Sequence, residues 1–173
     1  MMTPLRKSTS GPERPVSGRE SPRPYAAVAA GVVAAAVGGA AGIDPDSAWY
    51  RSLDKPAWQP PPRAFPAVWT PLYVSVVGAQ GRALNRTGGH RRRGLVRALA
   101  VNLALNGTFG WAFFRARTPY AGLVVTAATA VSGWDLVRRT ARVDRTAALG
   151  MIPYAAWCTF ATALNASIAR RNT

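Results

Sequence analysis

An all-α integral membrane bundle of five transmembrane helices is the fold that this sequence predicts, and three observations carry it. Five stretches, 25–43, 65–84, 94–114, 119–137 and 146–169, hold 103 of the 173 residues and only three charges, Arg82, Arg97 and Asp135, each near a segment end. The other 26 charges fall in the remaining 70 residues, so a near-zero mean hydropathy averages two different kinds of chain. Each stretch has the about 20 residues that a helix rising about 1.5 Å per residue needs to cross about 30 Å of hydrocarbon. None alternates polar and apolar residues as a barrel strand must, and a soluble core helix of this length would carry a polar stripe.

Residues 1–24 are rich in Pro, Ser, Gly and Arg with little apolar surface to bury, which predicts a disordered basic leader. The first span, 25–43, follows that basic leader and is Ala-rich like the core of a signal peptide. Its 19 residues exceed the usual length of such a core, so it is taken as a retained helix. The first connection, WYRSLDKPAWQPPPRAFP, contains two Trp, one Tyr and five Pro. Pro60, Pro61 and Pro62 hold the backbone near polyproline geometry, while Trp49, Tyr50 and Trp58 suit either the headgroup level or the bundle mouth. The connection is thus either an aromatic belt or a lid whose Arg51 and Lys55 meet ligand carboxylates.

Inside the spans, aromatic and amide side chains recur with helical spacing. Trp69, Tyr73, Val77 and Gln80 share a face of the second span, Asn102, Asn106, Phe109 and Phe113 one of the third, and Tyr154, Trp157, Ala161, Asn165 and Ile168 one of the fifth. An amide facing lipid would be left without a hydrogen-bond partner, so these faces point into the bundle. Two roles stay open for them: interhelical glue, or the wall of a cavity for a flat, mostly apolar ligand whose polar edge the amides fix. The single Cys158 lies in the fifth span and allows no disulfide within one chain.

The net charge of +15, with Arg91, Arg92 and Arg93 beside His90, superficially suggests nucleic acid. The distribution argues for topology instead. With alternate sides assigned, 15 basic residues fall on the side of the N-terminus and 7 on the other, which predicts a cytoplasmic N-terminus and no nucleic-acid partner. No ionisable group lies mid-span, which disfavours a proton-driven exporter, and triad, paired-carboxylate and metal-ligand constellations are missing. Asp135 is expected to pair with Arg138 and Arg139. Gly31 and Ala35, Gly38 and Gly42, and the row Ala100, Ala104 and Thr108 permit close helix packing within or between chains.

Three segments carry a resemblance to a known family: WYRSLDKPAWQPP with VWTPLY (Trp49 to Tyr73), NLALNGTFGWAFF (Asn102 to Phe114) and PYAAWCTFATALNASI (Pro153 to Ile168). In order and over five spans, they resemble the TspO/MBR family of translocator and tryptophan-rich sensory proteins across about residues 25–171. The resemblance implies a five-helix membrane domain that binds tetrapyrroles such as protoporphyrin and haem as ligands, needs no resident cofactor, and closes its cavity with the first loop. It places the cavity residues at Tyr50, Pro60, Trp69, Asn106, Trp157 and Ala161, and makes Trp69 and Trp157 the indoles of any light- and oxygen-dependent porphyrin breakdown. A sensory or transport-related porphyrin-binding protein is the leading expectation, with a porphyrin-degrading enzyme and a small-molecule exporter as alternatives. The resemblance also implies homodimerisation. The animal members' sterol motif is missing from TALNASIARR, which has no Tyr, and the Arg-rich leader points to a bacterial cytoplasmic membrane.

Overall fold

The computed structural model describes residues 20–172, and among them every regular element is helical. In chain order these are α1 (Pro22–Ala40), the short α2 (Ala48–Ser52), α3 (Ala64–Asn85), α4 (Gly89–Gly110), α5 (Pro119–Ala141) and α6 (Arg145–Arg171). A π turn, Trp111–Arg115, prolongs α4. The expected leader lies outside the described residues up to position 19, and from Pro22 the chain is already helix. By length and composition α1, α5 and α6 can cross a membrane. α3 and α4 match them in length, at 22 residues each, but carry Gln80 and Arg82, and Arg91–Arg93 with Arg97.

Several helices outrun the apolar segments that announced them, because hydropathy marks where hydrocarbon ends and capping marks where the helix ends. Ser21 caps α1 by accepting from the Arg23 amide, with Pro22 in the first turn. Its backbone is tied to Asn85 at the end of α3, the Ser21 amide donating to Oδ1 at 3.0 Å and Nδ2 donating to the Ser21 carbonyl at 3.0 Å. α4 begins at Gly89, whose φ of +55° suits glycine, and takes the arginine run into its first turns. There Arg92 donates to the Leu84 carbonyl at the end of α3. α6 begins on Asp144, which accepts from the Ala147 amide at 3.0 Å and pairs with Arg82 and Arg86 at 2.7 Å each. Asp135 pairs with Arg138 and Arg139.

The five long helices close into a ring in the order α1, α3, α6, α5, α4. Contacts such as Ser21 with Asn85, Gly150 with Ala79, Asn102 with Thr129 and Trp134 with Thr159 join neighbours that run antiparallel, except α1 and α4. Those two run parallel, with Gly39 against Gly107 and Gly42 against Gly110. One end of the ring, the leader end, gathers the charged caps just described; the other, the loop end, carries α2 and the π turn. Unlike a water-soluble bundle, the ring is apolar outside as well as in its core. Val33, Val37, Val74, Val124, Val131 and Leu149 are each more than half exposed, while Gln80, Asn102, Thr126, Thr129, Thr140 and Asn165 are buried.

α1 and α4 touch backbone to backbone, which only glycine permits: a Cβ on Gly110 would stand 2.3 Å from the Gly39 carbonyl oxygen. Part of the small-residue pattern thus serves packing within one chain. Gly110→Val is expected to destabilise the fold by about 1–3 kcal/mol or more. Gly38→Ala, whose Cβ meets nothing within 4 Å, should be neutral or stabilising by up to about 1 kcal/mol. Reversible unfolding in mixed micelles measures both.

The Ala147 amide and the guanidinium groups of Arg82 and Arg86 hold the Asp144 carboxyl below its ordinary value of 3.8 despite the opposing effect of burial. A depressed folded value means that this contribution is complete above 3.8 and is lost as pH falls below it. Asp144→Asn should therefore be less stable at neutral pH and lose less on acidification, as read by thermal unfolding across pH.

Candidate functional site

The ring interior toward the loop end collects the aromatic faces expected from the sequence. Trp69 and Tyr73 on α3 lie with ring centroids 5.2 Å apart, and Trp69 meets Tyr154 of α6 edge-on at 6.2 Å. Tyr73 donates its hydroxyl to Asn106 Oδ1 at 2.9 Å, and Tyr154 donates to Asn102 Oδ1 at 2.6 Å. Asn102 also donates Nδ2 to the Thr129 carbonyl at 3.1 Å, so both ends of its amide are used and it acts as glue among α4, α5 and α6. Asn106 differs: its oxygen is taken by Tyr73, and it is only half-buried.

On α6, Trp157, Ala161 and Asn165 follow one another by single turns. Asn165 donates Nδ2 to the Ala161 carbonyl at 2.9 Å, while its Oδ1 and the Nε1 of Trp157 are buried without a protein partner. Trp157 stacks on Phe160 at 4.9 Å and meets Phe65 at 6.3 Å. Trp69 and Trp157 both pack on the main apolar core, Trp69 in a ring group with Tyr73 and Tyr154 and Trp157 in another with Phe65, Phe160 and Trp58.

The first connection folds over this end. Ser47 caps α2 by accepting from the Tyr50 amide at 3.3 Å. Trp49 and Tyr50 pack on Phe113 at 5.4 and 6.2 Å, and Tyr50 also on Phe114 at 5.1 Å. The π turn presents these two phenylalanines side by side, a common use of such turns near sites. Gln59 donates Nε2 to the Tyr50 hydroxyl at 3.2 Å and leaves its own Oε1 buried and unpaired. Trp58 closes on Phe160 at 5.8 Å, and Pro60 is half-buried beside it in sequence. Lys55 is engaged, its Nζ 4.7 Å over the Tyr50 ring and donating to the Leu53 carbonyl at 2.9 Å, whereas Arg51 is exposed.

Some groups were not singled out from the sequence. Phe160 and Phe65 were recoverable by spacing, three residues after Trp157 and four before Trp69. Asn172 was not. It receives the Asp54 amide on Oδ1 and donates Nδ2 to the Asp54 carbonyl, both at 2.9 Å, while Arg171 pairs with the Asp54 carboxylate at 3.3 Å. Those contacts clamp the loop to the end of α6 across 118 positions of chain. Among the described residues no cluster of His, Cys, Asp or Glu has the grouping to hold a metal ion.

Comparison with known proteins decides what such a bundle is. The TspO/MBR family model matches residues 26–171. The chain belongs to the TspO/MBR family. With three helices long and apolar enough to cross and valines on its outer face, this family member is an integral membrane protein. It is 37% identical to the tryptophan-rich protein TspO of Chlorobaculum tepidum, over 74% of this chain and 82% of the relative. It is 35% identical to protein CrtK of Rhodobacter capsulatus, over 81% and 89%. The translocator protein of Homo sapiens matches at 31% identity over 72% and 75%.

Asn172→Ala should loosen the loop without unfolding the ring: hydrogen exchange at residues 53–59 is expected to rise about tenfold, while amides of α5 keep their protection. Asn102→Ala, which strands the Tyr154 hydroxyl in the core, should cost about 1–3 kcal/mol, more than Asn106→Ala, in the micelle unfolding assay.

Proposed function

We propose that all five long helices span the bilayer and that the protein is a sensory or transport-related receptor for a tetrapyrrole, porphyrin or haem, held at the loop end of the ring. One observation carries the reading: of four buried side-chain polar atoms without a protein partner among the described residues, three, Trp157 Nε1, Asn165 Oδ1 and Gln59 Oε1, lie where aromatic faces crowd together, and the fourth, Gln80 Oε1, lies toward the leader end. A buried unpaired donor or acceptor costs about 1–3 kcal/mol, and such atoms are what a ligand's polar edge satisfies. The indoles of Trp69 and Trp157 offer apolar faces for a flat macrocycle, Asn106 and Asn165 its polar contacts, Ala161 the space between, and Tyr50 and Pro60 the roof. Arg51, and Lys55 once displaced from Tyr50, supply cations for propionate-type arms.

Admission of a macrocycle requires the Trp58–Phe160 and Gln59–Tyr50 contacts to part, so loop opening precedes binding. The names of the relatives, which include a tryptophan-rich sensory protein of Cereibacter sphaeroides and translocator proteins, support a sensory or transport-related role. The bacterial relatives and the arginine-heavy leader end support a bacterial cytoplasmic membrane with the leader end inside.

Protoporphyrin added to the protein in nanodiscs should quench tryptophan fluorescence saturably, and the double variant Trp69→Phe, Trp157→Phe should bind about tenfold more weakly. Unchanged quenching and affinity would remove these indoles from the site. A light-driven degrading enzyme is the second reading, favoured by the continuous ring contacts from Tyr73 through Trp69 to Tyr154. Under illumination it requires bound porphyrin to lose absorbance faster than porphyrin in protein-free nanodiscs; equal rates leave the receptor.

A further inference from the structure

We propose that the loop-end site takes an open-chain tetrapyrrole in preference to a closed macrocycle, because its fixed hydrogen-bonding groups match lactam ends and not the rim of a macrocycle. The preference rests on the tetrapyrrole reading of that site and concerns the same residues. Trp157 Nε1 can only donate and Asn165 Oδ1 can only accept, and both are buried without a protein partner among the described residues. The Asn165 amide cannot exchange its ends: Nδ2 donates to the Ala161 carbonyl at 2.9 Å, and a flip would set oxygen against oxygen. Gln59 is adaptable, since the Tyr50 hydroxyl that its Nε2 meets at 3.2 Å can either accept or donate. An occupant that satisfies all three groups therefore brings at least one acceptor and at least one donor to its edge.

A porphyrin brings only the acceptor. Its ionised carboxylate arms accept and never donate, and its ring N–H groups point to the centre of a rigid plane, where haem has metal instead. Asn165 Oδ1 would stay unpaired beside it. Haem gains no imidazole ligand to offset that loss, because the chain's one histidine, His90, is exposed at the leader end. Opening the macrocycle at one bridge makes its two end rings lactams, each with an N–H and a C=O on the rim. One lactam can then donate to Asn165 while the other accepts from Trp157. These residues stand eight positions apart on α6, about 12 Å along its axis. Rotation about the single bonds of its bridges lets an open chain set that spacing, which a rigid ring cannot. A site built to hydrogen-bond its ligand discriminates against an analogue that leaves a buried group unpaired.

Biliverdin and protoporphyrin carry the same pair of propionate arms, so a comparison of the two isolates the rim. Each is titrated into the full-length protein in nanodiscs, and tryptophan quenching is followed with correction for pigment absorbance. Biliverdin should bind about tenfold more tightly than protoporphyrin. Asn165→Ala should weaken biliverdin about tenfold more than protoporphyrin, whereas a purely structural loss would weaken both alike. Protoporphyrin binding the unsubstituted protein as tightly as biliverdin, or equal losses in Asn165→Ala, overturns the preference and leaves the receptor in place. Saturable binding of neither pigment removes the tetrapyrrole reading as well.

Discussion

Hydrocarbon offers no hydrogen-bond partner, so polar side chains within the spans turn to one another inside the ring or to helix carbonyls. That constraint organises the interior. Tyr73 to Asn106 joins α3 to α4, Tyr154 to Asn102 to Thr129 joins α6, α4 and α5, and Gln80 to Thr140 joins α3 to α5, while on the outer face Trp134 to Thr159 joins α5 to α6. A helix turned by a quarter rotation would carry an amide out to lipid and leave a hydroxyl stranded inward. The same bonds that hold the bundle therefore also fix which way Trp69 and Trp157 face.

The two ends of the ring solve different problems. At the leader end, the charged cap Asp144 with Arg82 and Arg86, and the Ser21–Asn85 backbone tie, bind the starts of α1 and α6 to the finish of α3. At the loop end the contacts are ring against ring, together with the Asn172 clamp, and they leave Trp157 Nε1, Asn165 Oδ1 and Gln59 Oε1 unmatched. Gln80 Oε1, toward the leader end, is unpaired as well, so the ends differ in how they are held, one by charged caps and the other by ring contacts that can part without unravelling the first. Between them, the glycine contacts of α1 with α4 bring two backbones together and create, on the lipid side of the same pair, a small-residue groove.

Much of the site was legible because helical spacing is local. Trp69 with Tyr73, Asn102 with Asn106, and Trp157 with Asn165 stand four or eight positions apart, and a rigid helix converts those intervals into one face. Glue and ligand contact could not be separated that way. Asn102 turned out saturated by Tyr154 and Thr129, and Asn165 half-satisfied, although both look alike in sequence. The α2 helix, at five residues, carries too little periodicity to be seen, and nothing local marks the π turn, whose Phe113 and Phe114 meet Trp49 and Tyr50 of α2 only in the folded chain.

By itself the sequence determined the apolar segments, the sidedness of the charge and the inward faces, because each depends on neighbours within about one or two turns of the same helix. Only the tertiary structure decided the ring order, the partner of each amide, the clamp of Asn172 on Asp54 and the division of the small residues between helix contact and open groove. Those depend on atoms brought together from distant parts of the chain, where packing and hydrogen-bond geometry select one arrangement and local propensity is silent.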